Sequence, residues 1–153
     1  MKPDTANHPP AHLVLGRRGE RFALEYLKYR EGYRIVATNF SIPLGRTLGG
    51  APVMGEIDIV AYDGEILTFV EVKTRTSEAV ATAEAAVDRA KQRTIARTAN
   101  AYRRLLKLTK VPYRFDVVTV VFGDGASPTI TLRKGYFTER PSGRLQETSF
   151  YDS

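Results

Sequence analysis

One stretch of this sequence decides the fold: Gly55-Glu56-Ile57-Asp58-Ile59-Val60-Ala61-Tyr62-Asp63-Gly64-Glu65-Ile66-Leu67-Thr68-Phe69-Val70-Glu71-Val72-Lys73. Two strand-like runs, residues 56–62 and 65–74, are separated by Asp63-Gly64. Asp-Gly between apolar runs is typical of a two-residue hairpin turn in which both central residues take a positive φ. The stretch therefore predicts an antiparallel β-hairpin in which Tyr62 pairs with Glu65.

Asp58, Glu71 and Lys73 are predicted to share one face of that hairpin, because side chains alternate along a strand. In the predicted register Asp58 and Glu71 are diagonal neighbours, with Cα atoms about 7–8 Å apart. Carboxylates in apolar surroundings repel each other and are poorly hydrated, and a divalent cation relieves both penalties. The spacing therefore predicts a metal site. The alternatives are a solvated acidic edge or a simple ion pair between Glu71 and Lys73.

The rest of the chain predicts a single α/β domain. Hydrophobic periodicity switches between helical and strand spacing along the sequence, and the resulting order is α-β-β-β-α-β-β, a mixed β-sheet flanked by helices. The predicted helices are residues 13–30 and 82–108, and the predicted strands are residues 33–42, 56–62, 65–74, 114–122 and 129–133.

The boundaries of this domain follow from composition. Residues 1–12 are polar and Pro-rich and predict a disordered arm, residues 13–137 predict the folded domain, and residues 138–153 predict a polar C-terminal tail. Within the domain, residues 43–54 contain three Gly and two Pro and predict a loop.

The composition also limits which metal the chain could bind. Cysteine is absent, which excludes disulfides and thiolate metal sites. His8 and His12 are the two histidines, and both fall in the predicted N-terminal arm. A metal would therefore be held by oxygen ligands, which favour Mg²⁺, Mn²⁺ or Ca²⁺ over Zn²⁺.

Charge and hydropathy bear on partners and location. The 23 Lys and Arg against 17 Asp and Glu give a net charge of +6 and a pI near 9.7, a balance that permits association with a polyanion. No apolar run approaches the ~20 residues needed to cross a bilayer, and the polar N-terminal residues do not look like a secretory signal. The expected location is the cytoplasm, with no membrane association.

Two helical positions could add to the site. Glu20 lies three and four residues before Ala23 and Leu24, so it belongs to the core-facing stripe of the first helix. A carboxylate there needs a partner, which is either the metal site or a neighbouring arginine. Gln92 lies about 60° around the second helix from Ile95 and could also face inward.

Four segments together resemble the YraN-like family, a bacterial group with a predicted endonuclease fold that is similar to archaeal Holliday junction resolvases. The resemblance covers about residues 13–137, and the four motifs occur in the family's order. They are Gly16-Arg17-Arg18-Gly19-Glu20, Gly55-Glu56-Ile57-Asp58-Ile59-Val60-Ala61, Phe69-Val70-Glu71-Val72-Lys73-Thr74-Arg75 and Arg114-Phe115-Asp116-Val117-Val118.

This resemblance implies a restriction-endonuclease-like core of the PD-(D/E)XK type. By motif, Asp58 is the family's aspartate, Glu71 and Lys73 form its E-x-K, and Glu20 matches the helix glutamate that resolvases add. The chain departs from the family at residues 43–54, because the family usually joins its first two strands by a short segment. That segment, which contains Arg46, is either a DNA-contacting flap or an unstructured insertion.

The implied activity is Mg²⁺- or Mn²⁺-dependent hydrolysis of DNA phosphodiester bonds. The expected metal ligands are Asp58, Glu71, the carbonyl of Val72 and Glu20. Lys73 is expected to orient or deprotonate the attacking water or to neutralise developing charge, and Gln92 to position the nucleophile or a phosphate. Comparison with resolvases suggests branched DNA, a homodimer and a role in DNA repair or recombination. The alternative is a nucleic-acid-binding module whose site is inactive or dependent on a partner. The expected nucleic-acid contacts are Arg46, Arg75, Lys91 and Arg93.

Overall fold

A computed structural model of the chain describes residues 9–76, 87–125 and 127–139. Five strands form one mixed sheet in the order β1-β2-β3-β4-β5, with two helices packed on it. The predicted α/β fold and the predicted order α-β-β-β-α-β-β are confirmed. The elements are α1 Ala11–Glu25, which continues as a π-helical turn Tyr26–Arg30, then β1 Arg34–Arg46, β2 Pro52–Asp63, β3 Ile66–Thr76, α2 Arg89–Leu105, β4 Tyr113–Phe122 and β5 Thr129–Phe137.

The sheet is antiparallel except at its centre. β3 and β4 are parallel, and the connection between them includes α2, whereas the other neighbours pair antiparallel. A core cluster on the α2 side contains Phe69 and Ile95, and a separate cluster on the α1 side contains Ala23 and Val118. Both faces of the central strands are therefore buried, which explains their nearly continuous apolar sequence.

Close contact between α1 and β3 depends on Gly19. A Cβ atom at this position would overlap the Oγ1 of Thr74 on β3. Glycine lets the helix backbone approach the strand closely, and this contact fixes the position of the next residue, Glu20, above the sheet.

The hairpin between β2 and β3 forms as predicted, but with a different turn. Asp63 pairs with Ile66, so the two central residues are Gly64 and Glu65 and not Asp63 and Gly64. Gly64 has a φ of 59°, whereas neither Asp63 nor Glu65 has a positive φ. A glycine at the first central position is what a type II′ turn requires. The predicted pairing of Tyr62 with Glu65 was therefore wrong, and Tyr62 pairs with Leu67.

The predicted loop at residues 43–54 was also wrong in large part. β1 and β2 continue to pair in this segment, where Pro43 lies opposite Met54 and Arg46 lies opposite Pro52. Most of the segment is therefore a β-hairpin. Its glycines and prolines suggested a loop, but β1 is an edge strand, where proline is tolerated. A register shift between Pro43 and Gly45 accommodates the irregular sequence.

Several other element boundaries differ from the prediction, most clearly those of α1, α2 and β5. α1 begins at Ala11, so the last two residues of the predicted N-terminal arm are helical. α2 begins only at Arg89, because the carboxylate of Asp88 accepts a hydrogen bond from Lys91 N at 2.8 Å and caps the helix. β5 extends to Phe137, beyond the predicted end at residue 133. The predictions for residues 1–8, 82–86 and 140–153 lie outside the described residues.

Candidate active site

The central feature of the candidate site is a fork in the sheet between β2 and β3. The last pair of opposed residues in these two strands is Ile59 on β2 with Val70 on β3. β2 nevertheless stays paired with β1 as far as Pro52, and β3 stays paired with β4 as far as Thr76. Asp58 and Glu71 are the next residues on the two sides of the fork. The Oδ2 of Asp58 accepts a hydrogen bond from Val72 N at 2.8 Å and so bridges the separating strands.

The side-chain alternation of β2 reverses at Asp58. Ile57 packs in the cluster on the α2 side together with Val60, while Ile59 packs on the α1 side. Regular alternation would put Ile57 and Ile59 on one face, and the structure puts them on opposite faces. On β1, Asn39 lies opposite Asp58 in the register and has a φ of 51°, a left-handed conformation that asparagine tolerates. The irregularity on both strands directs the Asp58 carboxylate into the fork.

Burial and neighbouring negative charge destabilise the ionised forms of Asp58 and Glu20. Burial and the negative charge of Glu71 raise the pKa of Asp58 to about 7, the hydrogen bond from Val72 opposes this rise, and Glu20 adds to it. The pKa of Glu20 is also raised, first by burial and then by Glu71, with Arg17 acting in the opposite direction. Glu20 therefore belongs to the same electrostatic cluster as Asp58 and Glu71, and Arg17, the other kind of partner considered for it, also acts on it.

Two lysines contact Glu71, whose side chain is almost fully buried. The Nζ of Lys73 lies 3.2 Å from Glu71 Oε1, and the Nζ of Lys91 lies 3.7 Å from the same atom. The ion pair between Glu71 and Lys73 considered as an alternative is thus present within the acidic cluster. Lys91 was expected only as a nucleic-acid contact. Its direct approach to Glu71 depends on how α2 docks, which local sequence patterns do not specify.

The structure does not bring Gln92 to this cluster. Its Nε2 donates a hydrogen bond to the carbonyl of Val87 at 3.0 Å. Gln92 instead lines a cavity of about 390 Å³ together with Arg89, Arg93 and Phe137. The predicted role of Gln92 near the reacting atoms has no support in this geometry.

The remaining predicted nucleic-acid contacts lie on separate elements. Arg75 follows Lys73 by two residues on β3 and donates to the carbonyl of Thr74 at 2.9 Å. Arg46 ends β1 and donates to the carbonyl of Gly50 at 2.7 Å. Arg93 is exposed on α2, in line with Arg89 and Arg97 at intervals of four residues. These three arginines of α2 form one basic face, because residues four apart share a helix face.

A second polar cluster, which sequence reasoning missed, lies at the opposite end of the sheet. Asp116 is buried and accepts hydrogen bonds from Tyr33 Oη at 2.8 Å and Arg114 Nε at 2.7 Å. Arg114 also contacts Asp63 at 2.7 Å, and this guanidinium lowers the pKa of that carboxyl. The lone aspartate in a Val-rich strand was the available signal, since a buried carboxylate needs a partner. This cluster joins four strand ends and is structural.

The donors at the fork are compatible with a hard divalent cation. Asp58, Glu71 and the main-chain carbonyl of Val72 offer only oxygen ligands, and Mg²⁺ is commonly bound by one or two carboxylates while it keeps several waters. Among the described residues, no group of three or more His, Asp or Glu side chains is close enough to hold a metal ion by itself. The acidic pair therefore suits a site completed by waters and substrate oxygens.

Comparison with known proteins shows close relatives across most of the chain. The model of the uncharacterised protein family UPF0102 matches residues 19–120, which include Glu20, Asp58, Glu71 and Lys73. A UPF0102 protein of Koribacter versatilis is 44% identical over 128 residues, covering 84% of this chain and 82% of the relative. A UPF0102 protein of Geotalea uraniireducens is 41% identical over 123 residues, covering 80% and 88%. In the part of the chain that the structure describes, no helix has the length and apolar character of a membrane span.

Proposed function

The chain belongs to the uncharacterised protein family UPF0102, which confirms the resemblance to the YraN-like family, and we propose that it is a metal-dependent DNA endonuclease. The proposal rests on one observation: Asp58 and Glu71 meet at a fork in the sheet with Glu20 beside them and Lys73 in contact with Glu71. Carboxyl groups whose pKa is raised by burial and by neighbouring acidic groups, as for Asp58 and Glu20, are characteristic of functional sites.

The acidic cluster supports binding of Mg²⁺ or Mn²⁺. Gathering these carboxylates leaves repulsion that the fold alone does not remove, as the raised pKa values of Asp58 and Glu20 indicate. Asp58 and Glu71 would bind the ion together with the Val72 carbonyl, and Glu20 would act on it through a bound water. The bound ion would polarise a phosphoryl oxygen and lower the pKa of a bound water.

Lys73 supplies the cationic group of the proposed reaction. Its Nζ lies at the edge of the cluster, and its side chain is 18% exposed, so a substrate phosphate can approach it. In this position the ammonium group would hold the attacking water or stabilise the negative charge that develops on phosphorus. Lys91 approaches the same carboxylate from α2 and would help to place Glu71.

The basic face of α2 supports a nucleic-acid substrate. Arg89, Arg93 and Arg97 are exposed, and four-residue intervals place them about 6 Å apart along the helix axis. Such a row binds the phosphate backbone without regard to base sequence. α2 also carries Lys91, which contacts Glu71 from another side of the helix, because residues two apart do not share a helix face.

The finer features of this function come from the resemblance to resolvases. Three features remain predictions, namely branched or otherwise structured DNA as the substrate, a homodimer as the active form, and a cytoplasmic location. Sedimentation velocity with and without a four-way junction would test the dimer.

Cleavage assays with matched variants test the proposal. We expect the full-length protein to cut linear, flapped or four-way DNA in Mg²⁺ or Mn²⁺ and not in EDTA. Asp58→Asn and Glu71→Gln should each reduce the rate by about 100-fold or more, because each removes a charge that would hold the ion. Glu65→Gln, an exposed acid in the turn of the same hairpin, should leave the rate unchanged. Metal-independent cleavage, or cleavage that survives Asp58→Asn, would contradict the proposal.

A binding module without nuclease activity is the second candidate. The observation that favours it is that Lys73 and Lys91 already balance the negative charge of Glu71 without any metal ion. DNA binding that persists in Asp58→Asn, with no cleavage of any substrate by the wild type, would support this alternative.

A further inference from the structure

The hairpin of residues 43–54, here called the arm, projects beyond the rest of the sheet. β1 and β2 pair along it as far as Arg46–Pro52, whereas β3 leaves β2 after Ile59–Val70. The arm is therefore a two-stranded ribbon that starts at the fork. At its base, Arg97 on α2 donates a hydrogen bond to the carbonyl of Leu44 at 2.9 Å and ties the arm to the helix.

The tip of the arm is held in one conformation by hydrogen bonds. Thr47 N donates to Ala51 O at 2.8 Å, and Gly50 N donates to Thr47 O at 2.9 Å. Ala51 N donates to Thr47 Oγ1 at 3.2 Å, and Arg46 donates to Gly50 O at 2.7 Å. Four bonds within residues 46–51 indicate an ordered turn and not a flexible flap.

This ordered tip presents apolar side chains to water. Leu48 is fully exposed, at 111% of its reference area, and Met54 and Val53 are exposed at 45% and 37%. A leucine side chain that stays in water lacks the stabilisation of about 1.5–3 kcal/mol that its burial would give. Several exposed apolar side chains on a rigid projection mark a surface that contacts a partner.

Charge identifies the class of partner. Residues 34–55 contain no Asp or Glu, and Arg34 and Arg46 are their charged side chains. Beside the arm base, Pro43 and Leu44 line a cavity of about 520 Å³ with Arg97, Arg103 and Arg104. A second copy of the arm could not balance the charge of these arginines, because residues 34–55 contain no acidic side chain. The surroundings instead favour a polyanion with apolar surface at its centre, which describes duplex DNA.

We propose that the arm enters a groove of duplex DNA and that Leu48 acts as a wedge that unstacks one base step. Two-stranded β-ribbons fit a DNA groove, and apolar side chains at the tips of DNA-binding elements separate base steps and kink the duplex. Gly49 and Gly50 beside Leu48 keep the tip slender. This inference rests on the proposed function and identifies a deformable duplex as its substrate.

The fold also sets the distance between the wedge and the candidate site. Six residues separate Pro52 at the arm tip from Asp58 at the fork, which corresponds to about 20 Å along the strand. Leu48 lies in the turn beyond Pro52, so the wedge acts at least this far from the carboxylates.

Fluorescence of 2-aminopurine measures this unstacking without any cleavage. The full-length protein is titrated in EDTA against duplexes that carry the probe at successive positions. We expect emission to rise at one step, and Leu48→Ser to reduce that rise by about threefold or more while Leu48→Met retains it. Leu105→Ser is the matched control, because Leu105 is a leucine exposed at 63% near the end of α2. All four proteins should have the same melting temperature.

The outcomes separate this inference from the nuclease proposal. Metal-dependent cleavage by a protein that unstacks no step would overturn the wedge and leave the nuclease. Unstacking that depends on Leu48 in a protein that never cleaves would support the wedge and overturn the nuclease. Equal unstacking by wild type and Leu48→Ser would overturn the wedge. So would absence of DNA binding, or a change from dimer to monomer in Leu48→Ser with DNA binding unaltered.

Discussion

Replacing Asp58 with asparagine should stabilise the metal-free protein, and increasingly so as the pH rises. Burial and Glu71 raise the pKa of Asp58 from 3.8 to about 7, so the folded state disfavours the ionised carboxylate. A raised carboxyl pKa means that stability falls as the pH rises from about 4 to 7 and remains low above 7. Asparagine carries no charge to repel Glu71, and its Oδ1 can still accept the hydrogen bond from Val72 N.

The size of the effect follows from the same pKa. A rise from 3.8 to about 7 corresponds to an upper limit of about 4 kcal/mol. Asp58 is only partly buried, so water screens the repulsion and we expect about 1–3 kcal/mol. Most of this difference develops between pH 5 and pH 8.5, since the folded wild type is largely protonated at Asp58 at pH 5.

Urea unfolding in EDTA at the two pH values measures this difference. The free energy of unfolding of Asp58→Asn minus that of wild type should grow by about 1–3 kcal/mol from pH 5 to pH 8.5. Asp63→Asn is the control with the opposite electrostatics, because Arg114 lowers the pKa of Asp63. That carboxyl is ionised in both states over this pH range, so its replacement should cost the same at pH 5 and pH 8.5. A pH-independent difference for Asp58→Asn would refute the reasoning.

Three further predictions follow from named contacts. Gly19→Ala should destabilise the fold by about 1–3 kcal/mol in urea unfolding, because its Cβ overlaps Thr74; Thr74→Gly should restore part of the loss, and no rescue would contradict the contact. Asp116→Ala should cost about 3–5 kcal/mol, because it removes the buried carboxylate that pairs with a guanidinium; a loss below 1 kcal/mol would argue against a buried ion pair. Lys73→Gln should reduce metal-dependent cleavage by about 100-fold and Lys91→Gln by about 10-fold or less, and equal losses would show that the two lysines share one role.

The order of elements could be predicted from the sequence because it depends on local periodicity. Residues 66–76 begin with a continuous apolar run because both faces of β3 meet the core, and residues 89–105 have helical spacing because one face of α2 does. The hairpin register could not be predicted, because Asp63-Gly64 and Gly64-Glu65 are both acceptable turns for the same glycine. The arm was missed because Gly and Pro normally interrupt strands, and their tolerance on an edge strand depends on sheet order.

In the candidate site too, some features could be predicted from the sequence and others could not. Asp58, Glu71 and Lys73 were found together because they lie on two strands joined by a short turn. The approach of Lys91 to Glu71 depends on the packing of α2, a contact between residues far apart in sequence. The hydrogen bond of Gln92 to the Val87 carbonyl could not be predicted from its position relative to Ile95, because Val87 precedes the Asp88 cap, where helical spacing does not apply.

The fork connects the acidic cluster with the arm. If β2 paired with β3 along its whole length, Val72 N would bond to the β2 backbone and the Asp58 carboxylate would not be needed there. Because pairing stops at Ile59–Val70, Asp58 supplies the missing acceptor and its carboxylate is held close to Glu71. The same break separates the β1–β2 ribbon from the rest of the sheet and leaves it free to project. One irregularity in strand pairing therefore positions the acidic cluster and separates the arm from β3. Both effects would account for a break that removes sheet hydrogen bonds at this point.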